Sequence, residues 1–208
     1  MTGTDSPWDE DYLLRGRLYG GSAPPLPRLP VFSRILELGC GDGKTVSSLV
    51  RKDYSMTAID RSFPAISLCR HFCTDPDRLR LLIADVTQTP FKNESFDVVI
   101  ASHITGHLAE GMRRKLAGEV IRLLVCGGSL YFRDFSIKDF RYGRGEETEP
   151  GTFTRKNGIS THYFTRDEIT ALFCGLVVRS VVHHSWEMRV RGKILLRDEL
   201  VAEFKKPV

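Results

Sequence analysis

Apolar and polar positions along this chain alternate between two periods from position 33 onward. Short apolar runs of strand length stand at 34–38, 55–60, 79–84, 96–101 and 129–134, and segments with helical spacing stand at 44–52, 63–72 and 110–125. Strand and helix in this order predict a parallel sheet wound with helices. After 134 the pattern lapses into a polar loop over 135–158. Thr165 with Glu168 three residues on then reads as a capping box opening a helix over 166–174. Two β-rich runs, 177–184 and 193–204, close the chain and predict an antiparallel hairpin. The fold class expected is therefore α/β: a mostly parallel seven-stranded sheet, an antiparallel C-terminal hairpin and helices on both faces.

Ahead of the first strand, Ser6-Pro7 and the acidic Asp9, Glu10 and Asp11 mark a capped helix that carries Trp8 and Tyr12 and is expected to end at Gly20-Gly21. Pro24, Pro25, Pro27 and Pro30 make residues 23–30 an extended connector. The segment 1–30 and the loop at 135–158 are the places where a lid would sit.

Composition narrows the class. With 208 residues and 41% hydrophobic content the chain suits one well-buried core, so residues 1–208 read as a single domain. No charged-then-apolar leader and no apolar run near the roughly 18–20 residues of a membrane span are present, so a cytoplasmic protein without a membrane partner is expected. The five cysteines are Cys40, Cys69, Cys73, Cys126 and Cys174, an odd and scattered set that makes neither a disulfide framework nor a paired metal site. Cys69 and Cys73, four apart around His71, read as small core residues of one helix, and no metal is expected. A net charge of +4 helps an anionic partner approach but is short of the concentrated basicity of a dedicated nucleic-acid domain.

The candidate chemistry begins where the first strand runs through Glu37-Leu38-Gly39-Cys40-Gly41-Asp42-Gly43 into a helix. Glycines there let backbone approach a ligand at the carboxyl edge of the sheet. Lys44 stands where a dinucleotide fingerprint would have its third glycine. Asp60 ends the second strand, where a carboxylate can accept from the vicinal hydroxyls of a ribose, or simply cap the next helix. Asp85 follows the third strand and Val86 follows it, an acceptor for an exocyclic amine beside an apolar wall for its ring. The glycine segment resembles motif I of the class I methyltransferases, E-x-G-x-G-x-G, and the order of motifs over 34–134 is similar to theirs. That resemblance implies a Rossmann-like class I methyltransferase fold and S-adenosylmethionine as cofactor, released as S-adenosylhomocysteine. It implies a cofactor set of Glu37, Gly39, Cys40, Gly41, Asp60, Arg61, Asp85, Val86 and Ser102. On the acceptor side, His107 and His103 after strand four are imidazoles that could take a proton or orient a nucleophile, with a plain loop or helix-cap role as the alternative. Strand four is followed by neither a D/N-P-P-Y/F tetrapeptide nor a Pro-Cys nucleophile.

Leu130-Tyr131-Phe132-Arg133-Asp134-Phe135, Arg155-Lys156-Asn157-Gly158 and Tyr163-Phe164-Thr165, together with Trp8-Asp9-x-x-Tyr12, carry a narrower resemblance. They are similar to the eukaryotic tRNA N3-methylcytidine methyltransferase family. The resemblance implies that Trp8, Tyr12 and Tyr19 close over the cofactor and that Arg133, Asp134 and Arg155 shape the acceptor pocket or meet phosphate. The alternative for these three is a buried network pinning the loop to strand five. Ser160 stands where the family has arginine, and about 30 residues precede the first strand, fewer than the family carries there, so a helper protein supplying RNA affinity is expected. Basic residues interleaved with Phe140, Tyr142, Phe153 and Trp186 suit a base and its phosphates, while Arg113-Arg114-Lys115 also reads as a solvated helix face. Methyl transfer to a base nitrogen of tRNA leads. A small-molecule N- or O-methyltransferase and a non-catalytic scaffold subunit stay open.

Overall fold

The computed structural model describes residues 6–16, 26, 29–49, 54–73, 77–190 and 192–208. Helix α1 (Pro7–Arg15) starts as its sequence demands: the Ser6 side chain accepts from Asp9 N, Pro7 fills the first turn and Asp9 and Glu10 face the positive end of the dipole. It ends at Gly16, at φ 63, rather than at Gly20-Gly21, which lie with most of the proline connector outside the described residues.

The core alternates as expected: β1 (Arg34–Leu38), α2 (Lys44–Leu49), β2 (Ser55–Asp60), α3 (Phe63–Phe72), β3 (Leu79–Ile83), β4 (Phe96–Ser102), a 3₁₀ turn (Thr105–His107), α4 (Glu110–Leu123) and β5 (Leu124–Phe135). Residues 50–52, expected to extend α2, are outside the described set. Then come β6 (Glu146–Glu149), β7 (Thr152–Thr154), β8 (Ser160–His162), α5 (Arg166–Leu172), β9 (Val177–Val190) and β10 (Lys193–Lys205). The main sheet has seven strands in the order β3-β2-β1-β4-β5-β10-β9. β1 to β5 pair in parallel, and β10 runs antiparallel to both β5 and β9. The reversal after β1, with β2 on one side and β4 on the other, opens a crevice at the carboxyl ends of those strands, where ligands of such sheets bind.

One core cluster packs α4 and α5 on the sheet, with Leu116, Val120, Phe132, Phe164, Phe173 and Phe204 buried together. The other packs α2 and α3 on the opposite face through Val46, Leu49, Ile66 and Cys69. Two-sided burial explains why β1 and β4 read as continuous apolar runs instead of alternating ones.

Three differences from the sequence reading stand out. The loop at 135–158 holds β6 and β7, which join β8 in a separate three-stranded antiparallel sheet. Strands of three or four residues built from Glu and Thr leave no apolar period to detect. β5 starts at Leu124, ahead of the apolar run at 129–134, and carries Gly127, at φ 73, inside a register shift against β4. The hairpin is also longer than expected: Lys193–Asp198 pair only with β9, while residues 199–205 pair with β5 as well. The far part of β9 and β10 is thus a two-stranded arm beyond the sheet.

Candidate cofactor and acceptor site

At the end of β1 the chain turns through Gly39, Gly41 and Gly43 at φ 68, 53 and 81. A side chain at either of the first two is strained by backbone and by space, since a Cβ on Gly39 would lie 2.7 Å from Ile104 and one on Gly41 2.6 Å from the Tyr12 hydroxyl. Asp60, at the end of β2, braces this turn: Gly41 N donates to its Oδ2 at 2.9 Å and Ser62 N to its Oδ1 at 2.9 Å. Cys40 N donates to Ile59 O at 2.9 Å and completes the link between the two strand ends.

Carboxylates gather here. Burial pushes the Glu37 carboxyl up to about 8; the Thr45 hydroxyl opposes this, and Cys73, Asp60 and Asp42 add to it. Burial also raises Asp60, against the Ser62 and Gly41 amides and with Asp9 adding its charge. Glu37 Oε2 and Asp9 Oδ1 are buried without a hydrogen-bond partner. Buried acceptors left unmatched are costly, so this donor-poor, acid-rich cradle suits a ligand that brings hydroxyls, an amine and positive charge. S-adenosylmethionine has all three, and the residues present fit it.

Asp85 lies beyond β3, where Thr87 N and Thr87 Oγ1 donate to its Oδ1 at 2.8 and 2.7 Å. Burial opposes its ionisation, but the Thr87 donors, with Arg61 and Lys115, hold it below the usual carboxylate range. Arg61 is exposed, and Ser102 ends β4 opposite Arg133. The Cys40 thiol is 5% exposed and packs in the core with Cys69 and Cys73, which leaves its backbone to face a ligand. Val86, directly after Asp85, is 6% exposed and packs at the edge of the core cluster that holds Phe132.

Helix α1 crosses over this cradle. Besides the approach of Tyr12 to Gly41, Trp8 meets the His107 ring edge-on at 4.7 Å, and Pro7 lies where a Cβ on Gly158 would be 3.2 Å away. Tyr19 is outside the described residues.

On the acceptor side His107 Nδ1 lies 2.7 Å from Ser160 O. A carbonyl can only accept, so Nδ1 carries the hydrogen; burial holds the imidazole below its ordinary pKa, and the neutral ring keeps a lone pair on Nε2. Arg133 and Asp134 are both buried, and each is held by partners within the fold, as in the buried-network alternative. Arg133 Nη1 pairs with Glu199 Oε1 at 2.6 Å, and fully buried Asp134 accepts from Gly106 N at 2.7 Å and Phe135 N at 3.0 Å. Asp134 thereby fixes the 3₁₀ turn that bears His107. Arg155 donates to Thr161 Oγ1 at 3.3 Å and keeps a buried Nε without a partner.

His103 follows β4 directly. It sits at φ 54 at the carboxyl end of β4, a region where a non-glycine residue is strained, and strain of this kind concentrates at functional sites. Its side chain is 32% exposed, its Nε2 is 3.2 Å from Glu199 Oε2, and its ring stacks on Phe135 at 4.4 Å. Burial works against the imidazolium, but Asp134 and Glu199 outweigh it and raise the pKa. Glu199 gathers His103, Arg133 and His184 around one buried carboxylate. An acid at an inward position of the last strand is the one sequence signal that could have found it. On the same Phe135 ring lie the guanidinium groups of Arg141 at 3.9 Å and Arg197 at 4.7 Å, both held by buried Asp139 at 2.9 and 2.7 Å.

Among the described residues no three His, Cys, Asp or Glu form a metal-binding group, and no helix is long and apolar enough to cross a membrane.

Residues 35–128 match the family described as a methyltransferase domain. The chain is 28% identical over 197 residues to the tRNA N(3)-cytidine methyltransferase METTL2 of Gallus gallus, covering 84% of this chain and 51% of that protein. The chain spans about half the length of the curated relatives it matches. In fold it is similar to a SAM-dependent methyltransferase of Methanosarcina mazei, with TM-score 0.72 and 24% identity over 86% of this chain and 95% of that one. It is also similar to the N-methyltransferase NodS of Bradyrhizobium japonicum, solved with S-adenosylhomocysteine, with TM-score 0.63 and 20% identity over 86% and 80% of the two chains.

Proposed function

From the premise that the chain is a class I S-adenosylmethionine-dependent methyltransferase, we propose that it methylates a base nitrogen in RNA, with cytidine N3 of a tRNA as target. When bound, S-adenosylmethionine supplies an electrophilic methyl on a sulfonium, so the protein's task is alignment and exclusion of water more than activation. Glu37, Asp60 and the Gly39–Gly41 backbone hold the cofactor, Asp85 meets its adenine amine, and Trp8 and Tyr12 cover it.

The observation that carries the acceptor side is His103, strained, partly exposed and stacked on Phe135 beside Glu199. Cytidine N3 has a lone pair and no proton to lose. Methylation there forms the bond from nitrogen to carbon as the bond from that carbon to sulfur breaks with its electron pair staying on sulfur, so the positive charge passes from the sulfonium to the base. A strong base is unnecessary; nearby negative charge is what lowers the barrier. Glu199, 3.2 Å from His103, provides it, His103 orients the base, and neutral His107 and the cation of Arg155 complete the pocket. The relatives named as tRNA N(3)-cytidine methyltransferases support this target. The modest net charge of +4 supports a helper protein that adds RNA affinity, acting with the chain in the cytoplasm.

The test is transfer of labelled methyl from S-adenosylmethionine into total RNA and into a small-metabolite extract, both from cells lacking the protein, followed by nucleoside analysis. Label in 3-methylcytidine is the expected result. Label only in small metabolites overturns the RNA target and leaves the cofactor site standing.

A further inference from the structure

We propose that the arm formed by the far ends of β9 and β10, together with residues 139–144, is a binding surface for unpaired RNA flanking the methylated base; this rests on the RNA reading above. The arm begins where β10 leaves β5. Residues 193–198 pair with 185–190 alone, so the ribbon runs on past the last residue of β5, Phe135, on which His103 stacks.

A continuous file of rings and guanidinium groups runs from the acceptor side onto this arm. Arg197 lies 4.7 Å from the Phe135 ring, 5.9 Å from Phe140 and 5.2 Å from Trp186. Arg144 also stands over Phe140, at 4.9 Å. In the register Trp186 is directly opposite Arg197, and Val190 opposite Lys193, so Trp186, Arg197 and Lys193 share one face of the ribbon. Asp139 holds Arg197 at 2.7 Å and fixes the file's geometry, while Arg144 and Lys193 are exposed at its outer edges.

Planar groups in series at one edge of a pocket, with cations outside them, match the chemistry of single-stranded RNA. Bases stack on rings and guanidinium planes without sequence preference, and phosphates meet the flanking cations. Trp186 stays partly exposed on a ribbon that beyond β9 is anchored along one edge, by Phe140 N on Leu196 O and Asp139 on Arg197.

The test uses the full chain and a fluorescein-labelled oligocytidylate of about 12 nucleotides, within the site sizes such surfaces take. Trp186→Ala is expected to weaken oligonucleotide binding roughly tenfold and Trp186→Phe to restore most of it, because a phenyl ring still stacks. Arg144→Ala with Lys193→Ala should flatten the salt dependence of binding. S-adenosylmethionine affinity should be unchanged in all of these, which also certifies the fold. Wild type that fails to bind, or variants that bind as tightly and with the same salt slope as wild type, overturn the surface. If methyl enters RNA while the variants bind normally, the surface falls and the RNA target stands; if the variants behave as expected while no methyl enters RNA, the target falls and the surface stands.

Discussion

The two sides of the sheet's carboxyl edge are built by different means. At β1 and β2 the cradle is made of backbone: three left-handed glycines and two amides on Asp60, all within 25 residues of sequence. At β4, β5 and β10 the pocket is made of side chains that meet across long separations: Arg133 and Glu199 are 66 residues apart, and Asp139 and Arg197 are 58 apart. The first arrangement binds whatever has the right hydroxyls and charge. The second can be re-lined by changes in distant strands while the cofactor side stays the same, which is how one fold serves many acceptors.

Asp134→Ala is the variant that breaks this comparison hardest. It strips the acceptor from Gly106 N and Phe135 N in a fully buried place, and should cost about 3–5 kcal/mol in urea denaturation. A loss under 1 kcal/mol would mean that Asp134 is not frame. His103→Ala should spare cofactor affinity and lower kcat roughly 100-fold, separating the acceptor side from the cradle in a steady-state assay with a parallel binding titration.

Glu37 sharpens the comparison from the cofactor side. Its carboxyl stands at about 8 in the folded chain, above the unfolded 4.5, so its stabilising contribution is whole below the unfolded value and fades as the pH rises through 8. A cationic ligand favours the ionised form. S-adenosylmethionine affinity should therefore climb from about pH 6 to 8, up to tenfold per pH unit, and level off above, with a proton released on binding. Calorimetry in buffers of different ionisation enthalpy reads that proton, and Glu37→Gln should abolish the climb and weaken binding by tens of fold at alkaline pH. The smallest effect is expected from Arg155→Ala, a severalfold loss of RNA methylation at unchanged cofactor affinity. Equal loss of both would make Arg155 structural.

The same contrast explains what could be read from the chain itself. Gly39, Gly41, Gly43 and Asp60 announce their place because local spacing dictates the turn that joins strand to helix. The parallel core was legible for the same reason, each strand and helix carrying its own period. Glu199 could not be read as the partner of His103, since nothing at position 103 points to a strand 96 residues on, and the left-handed backbone of a histidine leaves no mark in the sequence. Arg133 and Asp134 were recognisable as a motif, but a motif does not tell which way its charges face. β6, β7 and β8 escaped because short polar strands are stabilised by pairing and not by an apolar face.

The measurement that tests the account most directly is equilibrium binding of S-adenosylmethionine to wild type and to Asp60→Ala, with thermal unfolding of both as a control. Binding by wild type and a loss of about 10- to 100-fold in a variant that still folds is the predicted result, because Asp60 both braces the Gly41 amide and supplies the charged acceptor. Equal affinity in the two proteins would contradict the cradle at its centre.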